Sequence, residues 1–183
     1  MRITRTAIEG VLILEPKVFG DERGFFLESF NQKAFEAAVG SPVSFVQDNH
    51  SRSSRGVLRG LHRQVAPHAQ GKLVRVSAGR IFDVAVDVRP DSATYGRWVG
   101  AELDDRAHRQ IWIPPGLAHG FLVLSDTADV QYKATHYYAP AAEVSLLWSD
   151  PSLAIDWPEV GVPFTLSAKD RAAPTLEAPT TKG

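Results

Sequence analysis

Apolar residues along this chain come in short bursts, either alternating with polar ones or running uninterrupted, with Gly, Pro or Asp between the bursts. Runs rich in Val, Ile, Phe and Trp fall at 11–14, 24–30, 43–47, 57–62, 72–78, 80–88, 97–103, 110–114, 120–124, 130–136 and 145–148. Short β-branched and aromatic runs with turn residues between them predict strands, and so many of them predict an all-β protein. The period is cleanest at 82–88. There Phe82, Val84, Val86 and Val88 share one parity while Asp83, Ala85 and Asp87 share the other, as in an antiparallel strand with one apolar and one polar face.

One segment breaks the strand rhythm. In 31–40, Asn31 offers a helix cap, Phe35 and Val39 are spaced for one helical face, and Gly40 offers a left-handed stop. Residues 172–183 are rich in Ala, Pro and Thr with little to bury, which predicts a loosely held tail. No repeat or linker divides the chain, so residues 1–183 are read as one domain. Many short strands with few helices fit an antiparallel double-sheet jelly roll or barrel, which limits its edges by curling and can hold a ligand in its mouth.

Composition narrows the chemistry. With no cysteine, disulfides, thiolate metal sites and cysteine nucleophiles are excluded. Twenty basic and 21 acidic residues are mixed along the chain for a net charge of −1, so no global basic face argues for nucleic acid and any anion site must be local. The early apolar run 11–14 is broken by Glu15, too short for a signal peptide core or a membrane span, and the expectation is a cytoplasmic protein.

Polar chemistry inside the strand pattern is concentrated at a few places. Val57-Leu58-Arg59-Gly60-Leu61-His62-Arg63-Gln64 sets an imidazole that titrates near neutral pH beside guanidinium forks suited to phosphate or carboxylate. Lys72 follows Gly71, His119 sits in a Pro-Gly-x-x-His turn, and Tyr132 lies in a further strand. Each alone has a plain structural reading: a hydrogen-bonded strand histidine, an edge lysine, a tyrosine capping the core. A barrel, however, brings inward-facing residues of distant strands into one pocket. A catalytic metal is disfavoured by spacing, because Gln64 stands two residues beyond His62, no glutamate follows closely, and His68 lies in a loop-like stretch. What remains is a base (His62), an acid (Tyr132), a cation (Lys72) and anion binders (Arg23, Arg59). That set suits proton transfer at a carbon alpha to a carbonyl, where an enolate needs a nearby cation and reprotonation from the opposite face inverts the centre.

These residues sit in longer motifs: Phe19-Gly20-Asp21-Glu22-Arg23-Gly24-Phe25-Phe26, Gln47-Asp48-Asn49-His50, Arg59-Gly60-Leu61-His62, Gln70-Gly71-Lys72, Pro114-Pro115-Gly116-Leu117-Ala118-His119-Gly120-Phe121 and Leu166-Ser167-Ala168-Lys169-Asp170. On these the chain resembles the dTDP-4-dehydrorhamnose 3,5-epimerases, the RmlC-type branch of the cupin-like jelly rolls, over nearly its whole length. The resemblance implies that His62 is the base at C5 and C3 of a dTDP-4-keto-6-deoxyhexose, supported by Asp170, with Tyr132 as acid on the opposite face. It implies that Lys72 stabilises charge on the C4 oxygen with His119 beside it, and that Arg59 and Arg23 hold the diphosphate. Glu28, Gln47, Asp48, Asn49, Glu143 and Lys169 would line the nucleotide-sugar site, Tyr138 would stack on thymine, and Phe19 and Phe26 would flank it. It further implies that no cofactor is needed, and that the chain forms a homodimer whose N-terminal segment crosses to the partner, so that Arg23, Phe26 and Glu28 serve the neighbouring site. Inversion at one carbon only, a 3,4-ketoisomerase and a non-catalytic sugar-nucleotide-binding barrel are the alternatives.

Overall fold

The computed structural model describes residues 1–177. The first strands are β1 (Arg2–Arg5), β2 (Leu12–Glu15), β3 (Val18–Asp21) and β4 (Gly24–Leu27), followed by helix α1 (Gln32–Val39). Then come β5 (Gln47–Ser54), β6 (Leu58–Gln64), β7 (Lys72–Ala78), β8 (Arg80–Asp87), β9 (Trp98–Asp104), β10 (Gln110–Ile113), β11 (Leu117–Val123), β12 (Thr127–Ala134) and β13 (Glu143–Ser145). A four-residue helix, α2 (Ala168–Arg171), lies near the end of the described chain.

Two antiparallel sheets make a jelly-roll sandwich. One has six strands in the order β1-β2-β10-β7-β12-β5, the other five in the order β13-β6-β11-β8-β9, and β3 and β4 form a separate hairpin. Between the sheets, Val74, Val76, Ile111, Ile113 and Val130 of the first pack against Ile81, Ala85, Leu103, Phe121 and Val123 of the second. Helix α1 lays Phe35 on the outer face of the six-stranded sheet against Leu12, Leu14, Leu73 and Trp112. Its ends are the expected ones: Asn31 accepts from the Ala34 N–H, and Gly40 closes the helix at φ 83°. Among the described residues no helix is long and apolar enough to cross a membrane.

Three departures from the sequence expectation have physical causes. Residues 43–46 are not a strand; Val43 and Phe45 pack beneath α1, and the strand is the polar Gln47–Ser54. That segment has no apolar period because it is an edge strand, held by an eight-residue ladder to β12 rather than by burial. Residues 2–5 and 18–21 are strands that their few apolar residues did not announce, and the run at 24–30 ends as a strand at Leu27. Finally, the polar parity of β8 does not face water. Its apolar side is roofed by Leu146, Leu153 and Trp157 of the C-terminal segment, which turns Asp83, Ala85 and Asp87 into the sandwich, each 0% exposed.

Of the tail, residues 172–177 are tied down. The Leu147 N–H donates to Pro174 O at 2.7 Å, the Leu176 N–H donates to Asp150 Oδ2 at 2.5 Å, and the Tyr95 hydroxyl donates to Glu177 O at 2.7 Å. Leu176 also packs against the core below. Residues 178–183 of that expectation lie outside the described residues.

Candidate active site

Strands β6 and β11 lie side by side in the five-stranded sheet, with His62 and His119 as cross-strand partners, and their register slips between His119 and Phe121. The slip coincides with a close approach of two glycines. A Cβ on Gly60 would stand 2.6 Å from Gly120 Cα, and Gly60 adopts φ +127°, so the position demands glycine on both counts. In a regular strand, residues three apart face opposite sides. Here Arg59 and His62 both line one cleft, while Leu58 and Leu61 both turn outward into the core under the C-terminal segment.

That cleft, about 560 Å³, is lined by residues of both sheets. His62, His119 and Arg59 come from the five-stranded sheet, and Lys72, Tyr132 and Asn49 face them from the six-stranded sheet. The segment Thr165 to Asp170 closes a third side. Its shape follows from a local signal: Ser167 caps α2 by accepting from the Asp170 N–H at 3.1 Å. Asp170, buried, then meets His62, with 2.6 Å between its Oδ1 and His62 Nε2. With Nε2 so engaged, Nδ1 is the ring nitrogen left to take a proton.

The electrostatics assign distinct states to these groups. Burial pulls the His62 pKa below its ordinary value, although the Asp170 hydrogen bond and charge oppose the shift, so a neutral imidazole stands ready at neutral pH. Burial raises the Tyr132 hydroxyl, which keeps it protonated. Burial pulls Lys72 down to about 8, opposed first by the charge of Asp83 and then by Glu143. Its ammonium lies 5.8 Å from the Tyr132 ring centroid. Behind His119 stands Asp83, with 2.8 Å between its Oδ2 and His119 Nε2. Arg59 is aimed by Ser53, whose hydroxyl accepts from the guanidinium Nε at 3.0 Å.

A neutral base, a protonated acid on the opposing wall, a half-buried cation and a guanidinium together can move a proton at carbon on an anionic substrate. The comparisons with known proteins agree. The profile of the dTDP-4-dehydrorhamnose 3,5-epimerases matches residues 5–178. The chain belongs to that family. It is 58% identical over 177 residues to the dTDP-4-dehydrorhamnose 3,5-epimerase of Salmonella typhimurium, covering 97% of this chain and 96% of that one. Identity is 60% over 171 residues with the enzyme of Pseudomonas aeruginosa, covering 93% of each. Among solved structures, the Legionella pneumophila dTDP-6-deoxy-D-glucose-3,5-epimerase in complex with dTDP-4-keto-L-rhamnose superposes with a TM-score of 0.92 at 55% identity, covering 96% of this chain and 92% of that one.

Not every residue that the resemblance implies for the epimerase site lies in the cleft. Gln47, Tyr138, Glu143 and Lys169 form a linked rim: Gln47 donates to Asn49 Oδ1 at 2.8 Å and accepts from the Tyr138 N–H at 2.9 Å. The Tyr138 hydroxyl donates to Glu143 at 2.6 Å, and Lys169 contacts the other oxygen of Glu143. Asp48 faces away, toward Lys133 at 3.0 Å on the outer face of the sheet. Phe19, Arg23 and Phe26 lie on the exposed β3–β4 hairpin, where Arg23 pairs with Asp21, and Glu28 follows just after it, bonded to Asn31. None of those four lines this chain's own cleft. Conversely, Ser53, Asp83 and Ser167 position site residues and were not singled out from the sequence. Ser167 was findable as a serine three residues before an aspartate, whereas Asp83 was hidden in a parity that looked solvent-facing.

Proposed function

We propose that the cleft epimerises a dTDP-4-keto-6-deoxyhexose at C5 and C3, converting dTDP-4-dehydro-6-deoxy-D-glucose to dTDP-4-dehydro-L-rhamnose through His62 and Tyr132 acting from opposite walls. His62 Nδ1 takes the proton from C5, and the electron pair of the C–H bond moves through the alpha carbon onto the C4 oxygen. Lys72 meets the oxyanion so formed, with His119 beside it. Tyr132 then gives its hydroxyl proton to the opposite face of the carbon, the enolate collapses to the ketone, and the configuration is inverted. The imidazolium, paired with Asp170, and the tyrosinate exchange protons with solvent before the same cycle runs at C3. Tyrosine suffices as the acid because a carbanion-like centre is a far stronger base than a phenolate of pKa about 10.

The observation that carries this reading is the facing of His62, backed by Asp170 at 2.6 Å, by Tyr132 on the other sheet. Arg59 is placed for the diphosphate, while Asn49, Glu143, Lys169 and the exposed ring of Tyr138 surround the nucleotide end. Turnover in D2O tests it: deuterium at both C3 and C5 of the product is expected. Label at neither carbon, with a substrate that a known epimerase accepts, refutes the reading, and label at one carbon reduces it to mono-epimerisation.

A homodimer completes the site in this reading. The β3–β4 hairpin leaves Phe19, Phe25 and Phe26 more than half exposed, and a lone two-stranded ribbon is marginal in water. A second copy that covers it would receive Arg23, Phe26 and Glu28 at its own cleft. Mixing Arg23→Ala with His62→Asn protein, each inactive or nearly so, is then expected to restore activity, because each mixed dimer regains one whole site; no restoration argues against shared sites. The chain serves as one epimerase domain, working in the cytoplasm, since a nucleotide-linked substrate does not cross a membrane unaided.

A further inference from the structure

We propose that Asp83, a residue of β8 that does not line the cleft, is the positioning residue that keeps Lys72 a cation while it holds His119, and thereby sets the upper pH limit of catalysis. The proposal rests on the reading of Lys72 as the group that meets the C4 oxygen.

Asp83 is 0% exposed, yet its carboxylate is poorly supplied with donors. Oδ2 meets His119 Nε2 at 2.8 Å, while Oδ1 is buried and meets no donor among the described residues. Buried carboxylates are ordinarily saturated with hydrogen bonds, and leaving an acceptor unmade carries a desolvation cost. A histidine could be held as well by a carbonyl or an amide, without burying a charge. The retained negative charge therefore needs a cation to act on, and the cleft contains one.

Lys72 shares the cleft with Arg59 and His62 on β6, His119 on β11, Tyr132 on β12, and Lys169 and Asp170 on α2, the last bonded to His62; the charges of Asp83 on β8, behind His119, and of Glu143 on β13 also act on it. The three carboxylates in that list differ in how far they are already answered. Asp170 is bonded to His62, and Glu143 is engaged by the Lys169 ammonium and the Tyr138 hydroxyl. Asp83 and Asp170 each meet one histidine through one oxygen, but only Asp83 has its other oxygen buried without a donor among the described residues, so its charge is answered by neither a second donor nor solvent. Consistently, Asp83 is the leading influence that opposes the loss of the Lys72 proton on burial. An ammonium stabilises an enolate oxygen far better than a neutral amine does. Loss of the Asp83 charge would thus disable Lys72 at mildly alkaline pH without touching the base.

The test is the pH dependence of kcat in wild type and in Asp83→Asn, which keeps the shape and removes the charge. Wild type is expected to lose activity on the alkaline side near pH 8. In the variant that limb is expected to move down by about one unit or more, so that turnover at the wild-type midpoint falls about fivefold or more while dTDP binding near neutral pH is retained. A limb that stays in place overturns the proposal even if activity drops, because a merely structural loss would lower the profile without shifting it. If Asp83→Asn folds poorly, a thermal-unfolding cycle with Lys72→Met decides: the cost of Asp83→Asn should largely vanish when no cation is left unanswered. An equal cost in both backgrounds overturns the proposal. Full activity in Lys72→Met would show that the reading of Lys72 itself has failed, and the role of Asp83 with it.

Discussion

Asp83 and Asp87 lie on one strand, four residues apart, on the same face, both fully buried, and they are provided for in opposite ways. Asp87 accepts from the Arg89 backbone N–H, from both Nε and Nη2 of Arg89, and from the hydroxyls of Ser92 and Thr94 at 2.6 to 3.1 Å. Burial alone would raise its pKa, yet these five bonds and the guanidinium hold it far below the usual carboxylate range. It fastens the turn after β8, where Gly96 N donates back to Asp87 O at 2.8 Å. Among the described residues Asp83 has one side-chain partner, a histidine in the cleft. The saturated carboxylate makes structure, and the unsaturated one is left with a field to exert. Burial does not distinguish them; the supply of donors does.

The largest effect that bears on this contrast lies in the cleft itself. His62→Asn is expected to lower kcat by about a thousandfold or more, with the melting temperature and dTDP affinity close to wild type. Equal losses of stability and activity would mean that the cleft is as structural as the turn. Asp87→Ala is expected to do the reverse. Leaving the half-buried Arg89 and the hydroxyls of Ser92 and Thr94 without their acceptor should cost about 3 kcal/mol in denaturant unfolding, with near-normal kcat per folded molecule. The pH sign follows from its lowered pKa: the stabilisation is complete above the unfolded carboxyl value of about 3.9 and is lost as pH falls below it. Asp87→Ala should therefore flatten the acid side of the stability curve.

Smaller effects sharpen the same division. Asp83→Asn removes a charge but few bonds, and about 1–2 kcal/mol of stability is expected to be lost in the same unfolding experiment, less than for Asp87→Ala. Wild-type kcat/KM should be bell-shaped. The acid limb should lie below the ordinary imidazole value of about 6.5, because burial lowers His62 and the base is lost when it protonates. The alkaline limb should lie near 8, where Lys72 loses its proton. An acid limb above the ordinary imidazole value would contradict the assignment of His62. The smallest effect is that of Ser53→Ala. Removing the hydroxyl that aims Arg59 should weaken dTDP about fivefold by calorimetric titration, the equivalent of about 1 kcal/mol, and leave kcat nearly unchanged.

The sequence was most legible where local chemistry and period coincide. The helix with Asn31 and Gly40 at its ends, the core strands at 72–78 and 110–114, and the clustering of His62, Lys72, His119 and Tyr132 could all be read from residue type and spacing. Strand β5 was not legible, because an edge strand between cleft and solvent is held by its ladder to β12 and has no apolar face to display. Nor was the slip at Gly60 and Gly120, without which a regular strand would point Arg59 and His62 to opposite sides.

By itself, then, the chain determined an all-β jelly roll and the kinds of groups that its mouth would hold, since burial period, turn residues and side-chain chemistry are properties of short stretches. Only the tertiary structure decided which groups work together. Asp170 reaches His62 across 108 positions of sequence, and Asp83 reaches His119 across 36. Whether a buried carboxylate is satisfied depends on donors that come from elsewhere in the fold, and no local pattern encodes their arrival.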